Sequence, residues 1–418
     1  MDHSEKTIFV YDNWRSEKPS LIGGLHTSFI RGQESYSFEY ADEWLNSFDS
    51  AYSLDPDLSL YRGRQYTPLD KSMFGLFADS CPDRWGRLLM KRKEAINARK
   101  EDRKPRKLTE SDFLLGVYDA SRMGALRFSL EEGGEFLSNE RAFATPPWIS
   151  LRTLENASIA FENDDSGLEE KWLNELLAPG SSLGGARPKA TVQATDGSLW
   201  IAKFPSKHDE YNSGAWEKVV HDLARLCSLN VPESKLETFS KTGSTFLVKR
   251  FDRDGKRRIH YASAMTLLGK TDGASGADGT SYLDLASYIR ANGAEPKQDL
   301  IELWKRIAFN MAVSNTDDHL RNHGFILTPT GWRLSPLFDV NPTPSGDRLS
   351  LNVSEYDSSI DLSLATEVAE YFGLTKDEAG NTSAAICETV KKNWVRIAES
   401  YSLSRGDVEY MRPAFSLN

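Results

Sequence analysis

The pattern of apolar and polar residues changes along the chain from strand-like alternation to helical spacing. Ile8 to Asp12 and Ser35 to Tyr40 alternate apolar and polar residues, as half-buried strands do. Phe74 to Ala95 combines a proline-containing turn with apolar residues at helical spacing. The first part of the chain is therefore predicted to be a mixed α/β unit.

Two predicted β-hairpins flank a helix in the middle of the chain. Strands at Ala190–Ala194 and Leu199–Phe204 are joined by an Asp-Gly turn, and a helix is predicted from about Ser213 to Leu226. The second hairpin pairs KLETFS with STFLVKRFDR across a KTG turn. After about Ser263 the apolar spacing becomes mainly helical.

These patterns and the length of the chain predict an α+β protein of two or three compact units, and the division into three is as follows. An N-terminal subdomain is predicted over residues 1–150, and a strand-rich lobe with a glycine-rich loop over residues 151–262. A helix-rich lobe is predicted over residues 263–418. The chain has 418 residues, of which 39% are hydrophobic, and this is enough for more than one buried core.

The charge balance limits the classes of partner. The formal net charge of −10 disfavours tight nucleic-acid binding by this chain alone, because affinity for a polyanion comes mainly from clustered Lys and Arg. One basic run extends from Lys91 to Lys107. We interpret it as a solvated helix and loop, with a patch for nucleic acid or a protein partner as the alternative.

The sequence predicts a cytoplasmic protein without a membrane span. No uncharged apolar run of about 18 residues occurs, which is the length that a membrane-spanning helix needs. The N-terminus is acidic and polar, without the pattern of a secretory signal. Cys81, Cys227 and Cys387 lie far apart and form no CxxC motif, which fits a reducing compartment.

The strongest chemical signal is the stretch Ser314 to Phe325, SNTDDHLRNHGF, together with the segment after it. Asn322 follows Asp317 by five positions, a short predicted hairpin comes next, and Asp339 lies just beyond it. Phosphoryl transfer from a nucleoside triphosphate needs such a set. One carboxylate orients the attacking hydroxyl, while an amide oxygen and a second carboxylate hold Mg²⁺.

Two other interpretations of this stretch stay open from the residues alone. In the first, Asp317 and Asp318 form a turn at a helix end and Asn322 caps a strand. In the second, His319 and His323 hold a metal ion for a hydrolase, since they are four positions apart. Otherwise we expect His319 to bond to the backbone and to hold the loop beside a bound cofactor.

Upstream residues are candidates for binding the nucleotide. Lys203 lies near the end of the strand LWIAKF, where it would point with Ile201 into a cleft and contact phosphates. Glu217, on the predicted helix, is the natural counter-ion for Lys203. The backbone from Lys249 to Phe251 could bond an adenine edge, with Asp252 near the ribose.

A loop rich in small residues, PGSSLGGARPKA, precedes the first hairpin. Its glycines, Gly184 and Gly185, would let backbone N–H groups approach phosphates, and Arg187 and Lys189 add positive charge. The loop matches neither the Walker A motif nor GxGxxG. A flexible connector is the alternative interpretation.

Taken in order, these segments resemble the HipA family of bacterial serine/threonine kinase toxins. The motifs that carry the resemblance are SSLGGARPKA, WIAKFPS, LVKRFDR, NTDDHLRNHGF and LSPLFDVNP. FGLFADSCPDRWGRLL and LLGVYDASRMGALRF look like the N-terminal subdomain of that family. The resemblance therefore extends over nearly the full chain.

The resemblance implies a bilobal, protein-kinase-like fold with an added N-terminal α/β subdomain, using ATP and Mg²⁺. Asp317 would be the catalytic base, and Asn322 and Asp339 the metal ligands. Lys203 would contact the phosphates, and Lys249 to Asp252 would form the nucleotide hinge. The sequence departs from ordinary kinases, because NTD and FDV occupy the places of HRD and DFG.

The resemblance also implies a regulatory site and partners. Ser182 falls where the family places its autophosphorylated serine, and the adjacent Ser181 is a competitor. Phosphorylation there would expel the glycine-rich loop from the ATP site, because a phosphate dianion cannot share the pocket with the ATP phosphates. Expected partners are a small helix-turn-helix antitoxin, operator DNA through that antitoxin, and a protein substrate such as an aminoacyl-tRNA synthetase.

The alternative function is that of a kinase-like corepressor that docks an antitoxin on operator DNA with little catalysis. The complete set of acids together with Lys203 favours the kinase, since a retired active site tends to lose such residues.

Overall fold

A computed structural model describes most of the chain. The described residues are 5–30, 32–47, 52–140, 144–163, 173, 176 and 185–417. Ser182 and Gly184 lie outside them, so the predictions for these two residues have no structural counterpart here.

The chain forms two compact units. Unit 1 comprises Met1–Ala202 and Arg250–Ala262, and unit 2 comprises Lys203–Lys249 and Ser263–Asn418. The predicted division into three parts, with boundaries at residues 150 and 262, stays a prediction.

Unit 1 is built on a five-stranded antiparallel sheet with the strand order β4-β3-β2-β1-β5. Ile8, Leu25 and Phe38 lie opposite one another on three neighbouring strands, and each is fully buried. These side chains form the centre of the apolar face of the sheet. The strands are β1 (Lys6–Asp12), β2 (Ser20–Ile30), β3 (Gln33–Tyr40), β4 (Gln65–Tyr66) and β5 (Arg127–Ser129).

The strands predicted at Ile8–Asp12 and Ser35–Tyr40 are confirmed, whereas β2 between them was not predicted. Gly23 and Gly24 interrupt its apolar pattern. At Gly23 a Cβ atom would lie 2.1 Å from the carbonyl oxygen of Glu39. Glycine is therefore needed for the close approach of the two backbones, and this need cannot be seen in a pattern of apolar residues.

Helices and shorter strands complete unit 1. The helices are α1 (Asp42–Leu45), α2 (Gly75–Ala78), α3 (Arg84–Lys100), α4 (Glu110–Gly116) and α5 (Leu151–Glu162). The short 3-10 turns are Asp119–Ser121 and Trp148–Ser150. The remaining strands are β6 (Lys189–Gln193), β7 (Leu199–Lys203, whose last residue begins unit 2), β10 (Arg253–Asp254) and β11 (Arg257–Arg258).

The first predicted hairpin is confirmed as β6 and β7, which are neighbours in a sheet. The backbone N–H of Ala194 donates to the carbonyl of Ser198 over 2.9 Å. Gly197 has φ of +84°, a left-handed conformation that glycine adopts without strain. The Asp-Gly turn therefore folds as its sequence predicts.

Unit 2 is mainly helical, with two antiparallel strand pairs, β8–β9 and β13–β14. The strands are β8 (Ser234–Glu237), β9 (Thr245–Lys249), β12 (Tyr261–Ser263, which begins in unit 1), β13 (Gly324–Thr328) and β14 (Gly331–Leu334). The helices are α6 (Ser213–Leu226), α7 (Ala264–Leu267), α8 (Tyr282–Asn292), α9 (Pro296–Ala312), α10 (Leu362–Glu367), α11 (Lys376–Ser400) and α12 (Arg405–Met411). The 3-10 turns are Gly276–Asp278, Leu320–Asn322, Ala369–Phe372 and Arg412–Phe415.

Helix α9 forms the centre of unit 2. Trp304, Ile307 and Met311 are fully buried, as their helical spacing predicts. The indole Nε1 of Trp304 donates to the carbonyl of Ala365 over 2.8 Å, which satisfies its polar atom inside the core. The helix ends directly before the stretch that carries the predicted catalytic residues.

Helix α6 packs against α11 through an aromatic cluster. Trp394 and Phe415 stack with ring centroids 4.6 Å apart, and Trp216 of α6 lies 5.9 Å from Phe415. The hydroxyl of Tyr401 donates to Asp222 of α6 over 2.5 Å. The helix that carries Glu217 is thus fixed to the C-terminal helices of the same unit.

None of the helices among the described residues is both long enough and apolar enough to cross a membrane.

Candidate active site

Most residues predicted to bind phosphate and metal belong to unit 2, whereas Gly185 of the glycine-rich loop belongs to unit 1. Those of unit 2 come from separate segments: Lys203 ends β7, Glu217 lies in the second turn of α6, and Asp339 follows β14. Asp317 and Asn322 lie in the loop between α9 and β13.

Lys203 brings two of the predicted acids together. Its Nζ donates to Glu217 Oε1 and to Asp339 Oδ1, each over 2.5 Å. Lys203 is only 6% exposed. Burial would lower the pKa of Lys203, but the charges of Asp339 and Glu217 raise it above its ordinary value, so the amine stays charged.

The start of α6 fixes where Glu217 points. The side chain of Asn212 accepts from the N–H of Ala215 and from the N–H of Ser244, which anchors the helix start to the segment before β9. At Gly214 a Cβ atom would lie 2.1 Å from the carbonyl oxygen of Ser244. A glycine in the first turn therefore allows the close contact that places Glu217 beside Lys203.

Asp339 has a left-handed backbone conformation, with φ of +58°. Such a conformation costs energy for a residue with a side chain, although Asp tolerates it better than most. The amide of Asn341 lies 3.4 Å from Asp339 Oδ1, the oxygen that also accepts from Lys203. The backbone turn thus directs the carboxylate toward Lys203.

Asp317 and Asn322 are joined by a hydrogen bond across their loop. Asn322 Nδ2 donates to the backbone carbonyl of Asp317 over 2.9 Å. The carboxylate of Asp317 belongs to an exposed residue. Partial burial raises the pKa of Asp317 and His319 opposes this rise, while the negative charges of Asp339 and Asp318 raise it further.

The residues present fit a magnesium ion. Asn322 is 2% exposed, and its Oδ1 has no hydrogen-bond partner among the described residues. A buried amide oxygen without a partner is costly, and a cation would satisfy it. No group of three or more His, Cys, Asp or Glu that could hold a metal occurs in the described part of the chain. Mg²⁺ at phosphate sites takes only one or two protein carboxylates, with the remaining ligands from phosphate and water.

The residues predicted to contact the base are placed less clearly. The ammonium of Lys249 lies 3.8 Å from Glu233, with both side chains partly exposed. The backbone N–H of Lys249 donates to the carbonyl of Glu233, so it is not available to an adenine edge. Phe251, in unit 1, is half-buried with its ring centroid 6.1 Å from that of Tyr261.

The predicted contact between Asp252 and a ribose does not fit the structure. Asp252 is fully buried in unit 1, and its carboxylate accepts hydrogen bonds from Arg250, Arg253 and the N–H of Gly124. Burial would raise its pKa, but Arg250 and Arg253 lower it to about 2. Both carboxylate oxygens are thus already held by groups of unit 1, which argues against a contact with a ribose.

The described end of the glycine-rich loop is anchored within unit 1. Gly185 has φ of +84°, which favours glycine. Lys189 is buried, and its Nζ donates to Asp83 over 2.8 Å and to the carbonyl of Gly185 over 3.4 Å. The charge of Lys189 is therefore engaged by Asp83 in this structure.

The two histidines of the loop have different environments. His323 is fully buried, with Nε2 2.9 Å from Asp318 Oδ2. Nδ1 of His319 is buried and has no hydrogen-bond partner among the described residues, so the predicted backbone bond is not seen at that atom. Because His323 is enclosed and bonded to Asp318, the arrangement does not fit a metal site shared by His319 and His323.

Sequence reasoning did not identify a role for Asp318. It is 1% exposed, and its Oδ2 accepts from Tyr282 over 2.6 Å and from Asn310 over 2.7 Å, in addition to the contact with His323. Burial would raise the pKa of Asp318, but His323 and the hydrogen bond from Tyr282 lower it overall. The sequence carries no local signal that distinguishes Asp318 from Asp317.

Comparison with solved structures identifies a protein with a similar fold. The chain is similar to the HipA toxin in a complex of Shewanella oneidensis HipA, HipB and operator DNA, with a TM-score of 0.65. The match covers 95% of this chain and 94% of that one at 17% sequence identity, so it concerns the fold alone. The two proteins share a fold of mixed helix and sheet.

Comparison with curated proteins gives partial matches. The chain is 27% identical over 228 residues to the "Serine/threonine-protein kinase toxin HipA" of Shewanella oneidensis, covering 46% of this chain and 50% of that protein. It is 30% identical over 193 residues to the "Putative kinase Y4mE" of Sinorhizobium fredii, covering 40% and 44%. The chain thus matches about half the length of these relatives.

The model of one family, described as the HipA-like C-terminal domain, matches residues 181–394, which is more than half of the chain. This range includes Lys203, Glu217, Asp317, Asn322 and Asp339. The chain therefore belongs to the HipA-like C-terminal domain family.

Proposed function

We propose that this chain is an ATP-dependent protein serine/threonine kinase. The observation that carries the proposal is the meeting of Lys203 with Glu217 and Asp339, each over 2.5 Å, from three separate segments of unit 2. An ammonium held between two carboxylates, together with a buried Asn322 Oδ1 that has no partner among the described residues, is a set that phosphoryl transfer can use. The bilobal kinase-like architecture, with residues 1–150 as an added subdomain, belongs to the same proposal.

Asp317 is proposed as the base. It accepts the proton of the attacking serine hydroxyl while the hydroxyl oxygen forms a bond to the γ-phosphorus and the bond to the bridging oxygen of ADP breaks. The raised pKa of Asp317 makes it a better proton acceptor than a free aspartate. Its exposed position leaves room for an incoming hydroxyl.

Asn322 and Asp339 are proposed as ligands of Mg²⁺. The ion, when bound, neutralises charge on the β- and γ-phosphate oxygens. Asn322 would offer its buried Oδ1, and Asp339 would offer the carboxylate that Lys203 now holds. Lys203 would then turn to the phosphates of ATP, with Glu217 fixing its ammonium.

The remaining nucleotide contacts and the modification site are also proposals. The hinge would run through Lys249 and Phe251, and Gly184 and Gly185 would face the phosphates. Ser182 is proposed as the autophosphorylated residue that would displace this loop, with Ser181 as its competitor.

We further propose that the kinase acts as the toxin of a toxin–antitoxin pair. The support is the name of one relative, a serine/threonine-protein kinase toxin, and the composition of the complex that contains the similar structure. The partner would be a HipB-like helix-turn-helix antitoxin, which would bring the chain to operator DNA. The substrate would be a protein serine, with an aminoacyl-tRNA synthetase as the first candidate to test.

Intact mass spectrometry tests the catalytic proposal. After incubation with ATP and Mg²⁺, the wild type should gain a phosphate-sized increment that Asp317→Asn and Asp339→Asn lack. Asp361→Asn is a matched control, because Asp361 is an exposed helix cap at which Asn serves equally well. A wild type that neither gains phosphate nor binds ATP would overturn the proposal.

The corepressor remains the second candidate, because the similar structure comes from a complex with an antitoxin and operator DNA. It predicts that the wild type does not arrest growth and that Asp317→Asn leaves operator repression intact. The kinase toxin predicts growth arrest by the wild type that Asp317→Asn abolishes. Co-expression with the antitoxin and a reporter operator separates the two.

A further inference from the structure

Asp317 and Asp318 are adjacent acids with opposite environments. Asp317 is exposed, whereas Asp318 is 1% exposed and accepts three contacts at a single oxygen. A buried carboxylate is unfavourable unless its charge is compensated. Several groups of the chain supply this compensation at Asp318.

The three groups that contact Asp318 come from two helices of unit 2 and from the end of the loop itself. Tyr282 is the first residue of α8, Asn310 lies in the last turn of α9, and His323 directly precedes β13. Their distances to Asp318 Oδ2 are 2.6, 2.7 and 2.9 Å. One carboxylate oxygen therefore fixes the loop to two helices and joins its middle to the residue that precedes β13.

A second set of hydrogen bonds extends this network toward Asp339. Asn310 Oδ1 accepts from Asn315 Nδ2 over 3.1 Å, and the N–H of Asn315 donates to the carbonyl of Asn310 over 2.8 Å. Asn315 Oδ1 in turn accepts from the N–H of Asn341 over 3.4 Å. The start of the loop is thus connected both to Asp318 and to the segment that carries Asp339.

We infer that Asp318 is a positioning residue that holds Asp317 and Asn322 in their working geometry, an inference that rests on the proposed kinase function. The side chain of Asp318 is anchored inward, and the backbone carbonyl of Asp317 accepts from Asn322 Nδ2 over 2.9 Å. That bond uses the nitrogen of the amide and leaves Oδ1 for a cation. Asp318 touches no reacting group itself.

The competing explanation is that Asp318 only stabilises the fold. Asp299 offers a matched comparison in the same unit. It is 4% exposed and accepts from Arg333 Nε over 2.9 Å and from the N–H of Leu334 over 3.0 Å. Asp299 is therefore a similarly buried and hydrogen-bonded acid outside the loop.

The kinetic test compares Asp318→Asn with Asp299→Asn at a temperature well below the melting temperature of both. Asp318→Asn should lower kcat of autophosphorylation about 100-fold with KM for ATP changed less than about threefold, because a misplaced base affects the transition state more than ATP binding. Asp299→Asn should lower the melting temperature and leave kcat within about threefold of the wild type.

Two further variants keep the test valid if Asp318→Asn folds poorly. Tyr282→Phe removes one of the three contacts and keeps the ring, so kcat should fall by about tenfold or less. In the Asp317→Asn background, Asp318→Asn should not lower the residual rate measured with labelled ATP any further, because the group that it positions is already gone. An unchanged kcat in Asp318→Asn, or a full additional loss in the double variant, would overturn the inference.

Hydrogen exchange provides a readout that does not depend on activity. In Asp318→Asn, amide protection should fall across residues 314–325 and stay at the wild-type level in α11, whereas Asp299→Asn should keep the loop protected. If the wild type transfers no phosphate while this difference appears, the proposed kinase fails and the anchoring of the loop stands. Equal protection of the loop in both variants would refute the positioning role.

Discussion

Two clusters of charged residues, one in each unit, differ in whether protein groups complete them. In unit 1, the carboxylate of Asp252 is fully buried and shared by Arg250, Arg253 and Gly124. In unit 2, Asp317 is exposed and Asn322 Oδ1 has no partner among the described residues. Both clusters combine acids with bases, so charge content alone does not distinguish them.

The difference separates a structural from a chemical use of charge. A buried ion pair whose oxygens are already hydrogen-bonded offers no atom to a ligand. A substitution there breaks the pair and leaves an uncompensated charge in the interior. A cluster with an open oxygen and an exposed carboxylate has groups that can bind a ligand directly, and only the bond from Lys203 to Asp339 would be exchanged. In a cluster of the second kind, titratable groups with shifted pKa values indicate a functional site.

The largest expected effect is the loss of autophosphorylation rate at Lys203. It tests whether this buried lysine takes part in the chemistry or only stabilises the fold. Lys203→Met should lower the rate of autophosphorylation by about 100- to 1,000-fold, because it removes a preorganised positive charge aimed at the phosphates. Lys218→Met is the matched control: Lys218 is 6% exposed and pairs with Asp222 on the same helix. Rates measured with labelled ATP on folded protein should separate the two. Equal losses of rate in Lys203→Met and Lys218→Met would indicate that Lys203 only stabilises the fold.

The second prediction concerns the cluster of unit 1. Asp252→Asn should lower the free energy of unfolding by about 3 kcal/mol, since it leaves Arg250 and Arg253 buried without their anion. Its pKa of about 2 in the fold lies below the usual value of about 3.9, so this stability is present above about pH 4 and is lost as the pH falls toward 2.

Urea denaturation of the wild type and Asp252→Asn at several pH values measures this contribution. The difference between the two proteins should shrink as the solution is acidified. KM for ATP should change less than about threefold at neutral pH. A large rise in KM for ATP in Asp252→Asn, with an unchanged free energy of unfolding, would instead support the predicted ribose contact.

A third prediction concerns the pH dependence of the site in unit 2. Burial and the charges of Asp339 and Asp318 raise the pKa of Asp317, so this base is protonated at a higher pH than a free aspartate. The acidic limb of kcat/KM, which reports the free enzyme, should therefore have its midpoint above about pH 3.9. A profile that stays flat down to pH 4 would contradict this assignment.

The smallest expected effect is at the predicted hinge. Lys249 and Glu233 form a long and partly exposed ion pair, so Lys249→Ala should change the free energy of unfolding by less than about 0.5 kcal/mol. KM for ATP should change by less than about threefold, because any contact with the base would come from the backbone. Thermal unfolding and ATP titration provide the two measurements.

The order of the site along the chain was predictable from the sequence. Asp317, Asn322 and Asp339 lie within one loop, one hairpin and the next turn, and local patterns specify such short segments. Lys203 and Glu217 could be paired because a strand end and a helix start follow each other directly.

Side-chain environments set by distant contacts were not predictable. Asp252 is saturated partly by Gly124, which is 128 positions earlier, and no local pattern carries this information. The same limit applies to Asp318, whose partner Tyr282 is 36 positions away. Two adjacent acids look alike in a sequence, and only the packing of α8 and α9 distinguishes them.

The aromatic cluster of Trp216, Trp394 and Phe415 has a consequence for control of the proposed kinase. In many protein kinases the helix that carries the glutamate partner of the lysine swings outward when the enzyme is switched off. Here that movement would pull Trp216 out of a packed apolar contact and break the bond between Tyr401 and Asp222. Inhibition that leaves this helix in place and acts at the nucleotide entrance would require less free energy than moving the helix.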